Sequence, residues 1–384
     1  MIVRPAAAGP WNIEPRLGAS VDYETNPALH EFDTRAEEHV AALIYLPLRY
    51  DADAVEFSLI PNARFSNSQG YSTLASNFVH IDSSAVFVNE RGSTTLQAGL
   101  ARDSSLYYLG ATLNGAGVRR DTATTAIDWT HFFTERAQVQ LDGSWAQVRY
   151  AQPANDNFLT DYRYPNAGPT FSYAVDERDT LKVIGNAGFY QSLDGRTSSK
   201  SQTVQLAFVR QLSELWTLSS AAGYSKSANI EKIFYGPILL GDINSTQNST
   251  VYSANLNRQG ETFGLNAGFA RALQPTGFSY LSRQDSVTLN GTYTRSERWD
   301  FSLSAAWQKT RNPLVSAGVA QLGGGGVTVR YLNAQATANW HWTELWVVSL
   351  HATRIMEQYG PPAASGASSG VSLDLTRQFL RTEL

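Results

Sequence analysis

The stretch TRSERWDFSLSAAWQKT, residues 294–310, shows the pattern that decides the fold. Phe301, Leu303 and Trp307 lie at alternate positions, and between them come Asp300 and hydroxyl, amide or small side chains. Because successive side chains of a strand point to opposite faces, the segment predicts a strand with one apolar and one polar face. An ordinary antiparallel sheet on a soluble core gives the same pattern. The number of times the pattern returns therefore decides between the two.

A short turn that usually contains Glu returns along the whole chain. Its instances are VNERGS (88–93), FTERA (133–137), VDERD (175–179), LSELW (212–216), RQGET (258–262), RSERW (295–299), WTELW (342–346) and the Asp version YDADA (50–54). An alternating strand precedes and follows each turn. With a strand near 12–23 at the start and one near 370–379 at the end, the sequence predicts 18 strands averaging about ten residues. We expect the turn glutamates to be solvated or paired with neighbouring Arg.

The other connections are predicted to be long and irregular. They carry much of the Pro, Gly, Asn and Ser, and span 24–37, 66–76, 103–120, 151–167, 192–200, 227–248, 274–284, 310–328 and 358–369. Short turns are thus expected to alternate strictly with long loops.

Three all-β architectures compete for this pattern. A propeller has four strands in each repeat of about 40 residues, roughly twice the number of strands predicted here for that length. A soluble sandwich does not need so many long strands. An outer-membrane barrel needs an even number of strands of about 9–11 residues, apolar-out and polar-in alternation, and short turns on one side. The sequence therefore predicts a closed antiparallel transmembrane β-barrel of 18 strands, with 16 as the alternative. Residues 1–11 are expected to be an N-terminal periplasmic segment, and 12–384 a single barrel domain with periplasmic turns and extracellular loops.

Composition excludes several function classes. The chain has no Cys and a net charge of −4, so a thiolate site is impossible and a nucleic-acid partner is not expected. No HExxH or GxSxG motif occurs, so we predict no enzyme, no cofactor and no metal site. The opening MIVRPAAAGPW lacks the apolar segment of a secretory signal, which leaves export of the chain unshown.

Aromatic residues are expected at two levels of the barrel, as girdles at the membrane interfaces. The predicted interface residues are Trp129, Tyr150, Tyr190, Trp216, Tyr224, Trp299, Trp307, Trp340 and Trp346.

The inward face is predicted to line a polar lumen rich in Ser, Thr, Asn and Gln. Its charged positions are predicted to be Arg49, Asp128, Asp142, Lys182, Asp300, His341, His351 and Asp374. No long ladder of one sign is apparent. Loops 151–167 and 227–248 are the best candidates for a constriction, and the second carries the apolar run IFYGPILL, expected at the pore mouth or against a partner.

The two ends of the chain resemble a known family. LGASVDYETNPAL (17–29) runs from a strand into a Tyr-x-x-Asn-Pro loop, and GVSLDLTRQFLRTEL (370–384) is an alternating strand that reaches Phe379. With the Glu-turn hairpins, these features resemble the large porin-type barrels of bacterial exopolysaccharide systems. The resemblance implies an outer-membrane port that exports a polysaccharide, with the lipid bilayer, lipopolysaccharide and a separate periplasmic export-complex protein as partners. The alternatives are a general diffusion porin for small hydrophilic solutes and a structural barrel that sheathes a partner without an open pore.

Overall fold

A computed structural model describes residues 11–27, 29, 35–67, 77–104, 118–151, 159–235, 238–275, 277, 281–311, 328–359, 364–380 and 382–383. These residues form one sheet of 21 strand segments. The segments are β1 (Trp11–Ile13), β2 (Arg16–Thr25), β3 (Ala36–Tyr45), β4 (Leu48–Ala52), β5 (Val55–Ser66), β6 (Phe78–Asn89), β7 (Gly92–Ser104), β8 (Arg119–Phe132), β9 (Ala137–Ala151), β10 (Tyr162–Ala174), β11 (Asp179–Ser192), β12 (Thr197–Gln211), β13 (Trp216–Tyr235), β14 (Ile238–Gln259), β15 (Phe263–Pro275), β16 (Leu281–Ser296), β17 (Trp299–Arg311), β18 (Thr328–His341), β19 (Trp346–Tyr359), β20 (Ala364–Gln378) and β21 (Thr382–Glu383).

The sheet closes on itself. From β5 to β20 each strand pairs antiparallel with its neighbours in sequence, and β2 pairs with both β3 and β20. Three passages from one barrel end to the other are each made of two segments, because β1 continues β2, β4 continues β3 and β21 continues β20. The fold is therefore a closed antiparallel barrel of 18 strands. The prediction of 18 is confirmed, and 16 is wrong.

Proline interrupts the barrel at this closing seam. Pro15 separates β1 from β2, and Pro47 lies between β3 and β4. Proline has no N–H to donate to the ladder, so strands break or bend where it occurs. The carbonyl of Pro15 still accepts the N–H of Phe379, at 2.9 Å, so the ends of the chain stay joined beyond the break.

The two faces of the barrel differ in chemistry. On β12, Val204 and Leu206 are 63% and 61% exposed, whereas Ser199 and Ser201 of the opposite face are 1% and 6% exposed. Because a closed sheet has only an outer and an inner face, the buried serines point inward and the apolar residues point outward. An apolar exterior on a sheet without free edges satisfies both requirements for lying in lipid.

The short turns are held by the residue that precedes Glu. The Oγ1 of Thr134 accepts the N–H groups of Arg136 and Ala137, and the Oδ1 of Asp176 accepts those of Arg178 and Asp179, at 2.7–3.2 Å. Ser213 and Thr343 do the same in their turns. In the described part of the chain no ion pair joins the turn glutamates to a neighbouring Arg. The recurring Glu therefore marks these turns, but Thr, Asp or Ser closes them.

The strict alternation of short turns and long loops is wrong at three connections. The predicted loop 192–200 is a turn at 193–196, where Gly195 has φ +72°. The predicted loop 227–248 is mostly paired, because β13 and β14 run on for 20 and 22 residues and leave only 236–237 between them. The connection between β19 and β20 is 360–363. Parts of the remaining long connections, and residues 1–10 of the predicted N-terminal segment, lie outside the described residues.

No helix in the described ranges is long and apolar enough to cross a membrane.

Candidate functional site: the wall of the lumen

The inner face of the barrel consists of two chemically different arcs. We call the inward positions of β10–β16 the neutral wall and those of β17–β20 together with β1–β9 the charged wall. Among the described residues, the neutral wall carries two charged side chains, Lys182 and Glu231. The rest of it is mainly hydroxyl, amide or small side chains.

Hydrogen bonds between side chains organise the neutral wall. Asn255 and Asn266 exchange two amide hydrogen bonds, at 3.2 and 3.3 Å. Nearer the end of the barrel that carries the long connections, which we call the upper end, Ser199 and Ser227 both donate to the Oδ1 of Asn229, at 2.5 and 2.8 Å. Neutral hydroxyl and amide groups exchange hydrogen bonds with a polar solute without the strong attraction of a charge.

The charged wall is strongly acidic. Among its described inward positions, twelve acids face four bases. The acids are Asp22, Glu24, Glu37, Asp51, Glu56, Asp82, Asp103, Asp128, Asp142, Asp300, Glu357 and Asp374, and the bases are Arg16, Arg49, Arg64 and Arg120. This arc is therefore the source of a negative potential in the lumen.

Register places three acid–acid pairs directly opposite each other on this wall. The pairs are Glu24 with Glu37, Asp51 with Glu56, and Asp128 with Asp142. Like charges at directly opposite positions destabilise a sheet. In one pair the repulsion is moderated by Gln140, whose amide donates to Asp128 and Asp142 at 2.5 and 2.7 Å.

On the outer face of the barrel, several acids of the described strands lie opposite bases and none lies directly opposite another acid. There, Arg102 lies opposite Asp121 with an Nε–Oδ1 distance of 2.7 Å, and Asp179 lies opposite Arg210. Arg271 lies opposite Asp285 and binds it through two hydrogen bonds. The acid pairs are thus a property of the lumen and do not follow from the composition of the chain.

Register places all eight predicted pore-lining residues on the inner face. Asp300 accepts from Asn339 at 2.6 Å and lies 2.7 Å from the Nε2 of His341. The Nε2 of His351 lies 3.0 Å from Asp374. The two histidines are therefore held by different carboxylates. In the described ranges, no group of three or more His, Asp or Glu side chains could hold a metal ion.

Two of the predicted interface aromatics lie inside the barrel instead. Tyr190 is fully buried in a cluster with Val148, Tyr162 and Leu281, and Tyr150 packs against that cluster. The prediction of an interface position is therefore wrong for Tyr150 and Tyr190. Register directs the other seven outward, and they are Trp129, Trp216, Tyr224, Trp299, Trp307, Trp340 and Trp346.

The aromatic cluster marks a place where the chain crosses the upper lumen. The N–H of Thr160, in the β9–β10 connection, donates to the carbonyl of Gly277, in the β15–β16 connection, at 2.7 Å. These two connections are six strands apart around the barrel, so their contact spans a third of its circumference. A Cβ on Gly277 would lie 2.9 Å from the hydroxyl of Tyr150. The predicted loop 151–167 is wrong at its end, because residues 162–167 are paired within β10. Its described residue Thr160 contacts Gly277, which belongs to a connection that was not predicted to narrow the pore. Residues 152–158 lie outside the described residues.

Asn26 and Leu29 of the first loop contact β19 and β20 at the closing seam. Asn26, the Asn of the Tyr-x-x-Asn-Pro motif, has φ +50° and donates its amide to the carbonyl of Ala367, at 3.1 Å. Leu29 is 4% exposed and packs against inward-facing Ile355. The close approach of Leu29 requires Gly366, where a Cβ would lie 2.0 Å from the Leu29 carbonyl oxygen. The motif thus fixes Leu29 against β19 and β20 at this end of the barrel.

Comparison with solved structures relates the chain to outer-membrane barrels. The ferric citrate transporter FecA in its unliganded form is 7% identical, with a TM-score of 0.51 over 98% of this chain and 79% of that chain. Pseudomonas aeruginosa OpdK with vanillate is 10% identical, with a TM-score of 0.46 over 97% and 99% of the two chains. Pseudomonas aeruginosa OpdO is 11% identical, with a TM-score of 0.48 over 96% and 97%. No family model and no curated protein sequence matches the chain. At these identities the likeness concerns the fold.

Proposed function

We propose that the protein is an outer-membrane channel through which hydrophilic solutes cross. The observation that carries the proposal is the division of side chains between the two faces, with exposed apolar residues outside and polar residues inside on strand after strand. A sheet of this kind is stable in lipid only when it is closed, and an 18-strand barrel is wide enough to hold water. The solved barrels of similar fold are consistent with an outer-membrane location.

An enzymatic role is not proposed, although three inward residues resemble a hydrolase triad. The Oγ1 of Thr337 lies 2.9 Å from the Nδ1 of His351, whose Nε2 faces Asp374. A triad also needs backbone N–H groups free to stabilise an oxyanion. All three residues lie within paired strands, where the N–H groups belong to the ladder.

Export of an exopolysaccharide is the narrower form of the proposal, and its support is the resemblance at the ends of the chain. None of the solved structures reported above is described as a polysaccharide port. The neutral wall is the part of the lumen whose chemistry suits a sugar chain. A general diffusion role requires only a water-filled path, so the two forms differ in the size of solute that passes.

The test is single-channel conductance of the refolded protein in a planar bilayer. Folding is checked first by the mobility shift between heated and unheated samples in gel electrophoresis. We expect stable conductance steps that small sugars reduce. Block by long dextran chains entering the pore supports polysaccharide passage, and exclusion of all but small sugars supports a diffusion porin. Folded, inserted protein without conductance contradicts the proposal.

A further inference from the structure

A pocket of about 280 Å³ opens from the lumen at the closing seam of the barrel. Five neighbouring passages of chain contribute to it, from β18, β19, β20, β2 and β3, and Arg64 of β5 lies at its edge. Small residues form its floor, since Ser372 lies between His351 and Asp22 in the register, and Gly370 lies between Thr353 and Glu24. These short side chains leave the space that the pocket occupies.

Some of the charges around the pocket already have partners. Asp22 is bound by Arg64 and accepts from the hydroxyl of Ser20 at 3.3 Å. Asp374 faces His351. Three acids, Asp22, Glu24 and Asp374, line the pocket together with the single guanidinium of Arg64. A fourth acid, Glu37, adjoins it, because Glu37 lies directly opposite Glu24 in the register. The carboxylates therefore outnumber the guanidinium group here.

The excess is centred on Glu24 and Glu37, which lie directly opposite each other. Glu24 accepts one hydrogen bond, from Ser368 at 2.8 Å, and the Oε2 of Glu37 is buried without a partner. A pair of adjacent carboxylates in a partly buried site is stabilised by a positive charge placed between them.

His39 supplies a second, independent sign of a ligand. The side chain is 5% exposed and lines the pocket, and neither ring nitrogen has a hydrogen-bond partner. Buried polar groups are normally satisfied, because an unmade hydrogen bond costs about 1–3 kcal/mol. A neutral imidazole offers one acceptor nitrogen beside the two carboxylates.

We propose that this pocket binds a primary ammonium group of a solute, with Glu24, Glu37 and His39 as acceptors. An ammonium group has three N–H donors and no acceptor, which matches this set. The pocket is much larger than a bare ion needs, and the acids and imidazoles here do not converge into a metal site. The side chain of Ile355, also at the pocket, provides an apolar surface for the carbon chain of an amine. This inference rests on the proposed channel function and assigns its solute class.

The experiment measures current block by putrescine, a diamine, and by 1,4-butanediol, its uncharged counterpart. We expect putrescine to block the open channel and butanediol to leave it unaffected. Glu37→Gln should weaken the block about five- to tenfold, as expected for one lost charge contact at short range. The matched control is Glu38→Gln, which removes the same charge from the next residue of β3 on the outer face and should keep the wild-type block.

A second variant, His39→Phe, removes both ring nitrogens while keeping a planar ring of similar size, and should also weaken the block. Equal block by putrescine and butanediol, or equal loss in Glu37→Gln and Glu38→Gln, overturns the inference. A channel that conducts potassium chloride but ignores putrescine refutes the ammonium site alone, whereas folded protein without any conductance refutes the channel itself.

A different observation, on the outer face, carries a second inference. At the upper ends of β16–β18 two pairs of bases lie directly opposite each other, Arg283 with Arg311 and Lys309 with Arg330. The nearby Asp285 is already bound by two hydrogen bonds from Arg271. The Nε of Arg283 is buried without a hydrogen-bond partner. This basic cluster, made of Arg283, Lys309, Arg311 and Arg330, is therefore rich in unneutralised charge.

The position of the basic cluster along the barrel axis indicates which part of a membrane it would contact. The next outward row below it is apolar and consists of Val287, Trp307 and Leu332. A cluster one row above the apolar band lies at the level of lipid headgroups. We propose that it binds the phosphate groups of an outer-leaflet glycolipid, since paired guanidinium groups hold phosphate through charge-assisted hydrogen bonds.

Native mass spectrometry of the detergent-solubilised barrel tests this partner with diphosphorylated lipid A and with lipid A stripped of phosphate. We expect the phosphorylated form to be retained about tenfold better, and the double variant Arg283→Gln/Arg311→Gln to lose that preference. The control Lys200→Gln/Lys226→Gln removes two outward charges from β12 and β13, away from the basic cluster, and should retain the preference. Equal retention of both lipids, or equal loss in the control, overturns the inference.

Discussion

The neutral wall and the charged wall share one outer surface and one hydrogen-bond ladder, yet nearly all of the described inward charges lie on the charged wall. Strands of both arcs present apolar residues to the outside, such as Val204 and Leu206 on β12 and Leu373 and Leu375 on β20. Inside, β12 carries hydroxyl and amide groups, whereas β20 contributes Asp374 to an acidic pocket. The apolar outer face and the closed ladder meet the requirements of a lipid environment, and the inner face can vary without disturbing either.

The separation of the two faces can be broken most strongly on β12, where neighbouring residues face opposite ways. Leu206→Arg places a charge on the apolar exterior and should lower the free energy of unfolding by about 2–4 kcal/mol. Gln205→Arg places the same charge in the lumen and should leave stability nearly unchanged. Urea titration of both variants in lipid vesicles measures the difference. Similar losses in the two variants would show that the faces have been assigned wrongly.

The charge difference between the walls should appear as ion selectivity. We expect the channel to prefer potassium over chloride, because a cleft lined by one sign of charge concentrates counter-ions. The triple variant Glu24→Gln/Asp51→Asn/Asp142→Asn removes one acid from each opposed pair and should lower this preference about tenfold. Reversal potentials across a salt gradient measure it.

A control for this prediction removes three acids outside the lumen. Glu38→Gln/Glu177→Gln/Glu214→Gln changes the total charge by the same amount and should leave the reversal potential near that of the wild type. If both triple variants shift it equally, the preference comes from the net charge of the protein and not from the wall.

The neutral wall can also be given a pair of neighbouring acids like those of the charged wall. Asn255→Asp/Asn266→Asp replaces the reciprocal amide pair by two facing acids and should increase the preference for cations. Repulsion between the new charges should cost up to about 1 kcal/mol of stability, and high salt should reduce that cost. The single variant Asn255→Asp keeps a hydrogen bond from Asn266 and should be nearly as stable as the wild type. An unchanged selectivity in the double variant would mean that ions pass along the other arc alone.

The smallest predicted effect concerns a turn beneath the neutral wall. Hydrogen bonds from the N–H groups of Arg178 and Asp179 hold the pKa of Asp176 below its ordinary value. A lowered pKa stabilises the folded state at neutral pH, and this stabilisation is lost as the pH falls through the folded-state pKa. Asp176→Ala should therefore be less stable than the wild type at neutral pH, with the difference vanishing in acid. Glu177→Ala, whose side chain closes no turn, should show no such dependence in unfolding measured from neutral to acidic pH.

Much of the barrel was predictable from sequence because a strand repeats every two residues. The outward frame of Leu181, Val183 and Phe189 places Lys182 inside, and the same count places Tyr190 inside as well. An aromatic side chain near a strand end does not by itself indicate an interface position, because Tyr190 has the inward frame and packs inside the barrel. The Asp194–Gly195 dipeptide was likewise a turn signal, and it indicated a short connection where a long loop was predicted.

The acid pairs could not be predicted in the same way. The sequence contains Glu24 and Glu37, but it does not show that they lie directly opposite each other. That position depends on the pairing register of β2 with β3. Register is set by the whole sheet and by the loops that join the strands. The pocket at the seam depends on more distant pairings still, since β2 meets β20 only after the chain has passed around the whole barrel.

The position of that seam has a consequence for biogenesis. The hydroxyl of Thr25 donates to the carbonyl of Ser369, a residue 344 positions later in the chain, so the first passage of chain gains its second neighbour only when the last has been delivered. A truncated or stalled polypeptide therefore has two open edges and lacks half of the amine pocket. The complete pocket can therefore form only after the barrel has closed, because closure brings Glu24 and His39 together with His351 and Asp374.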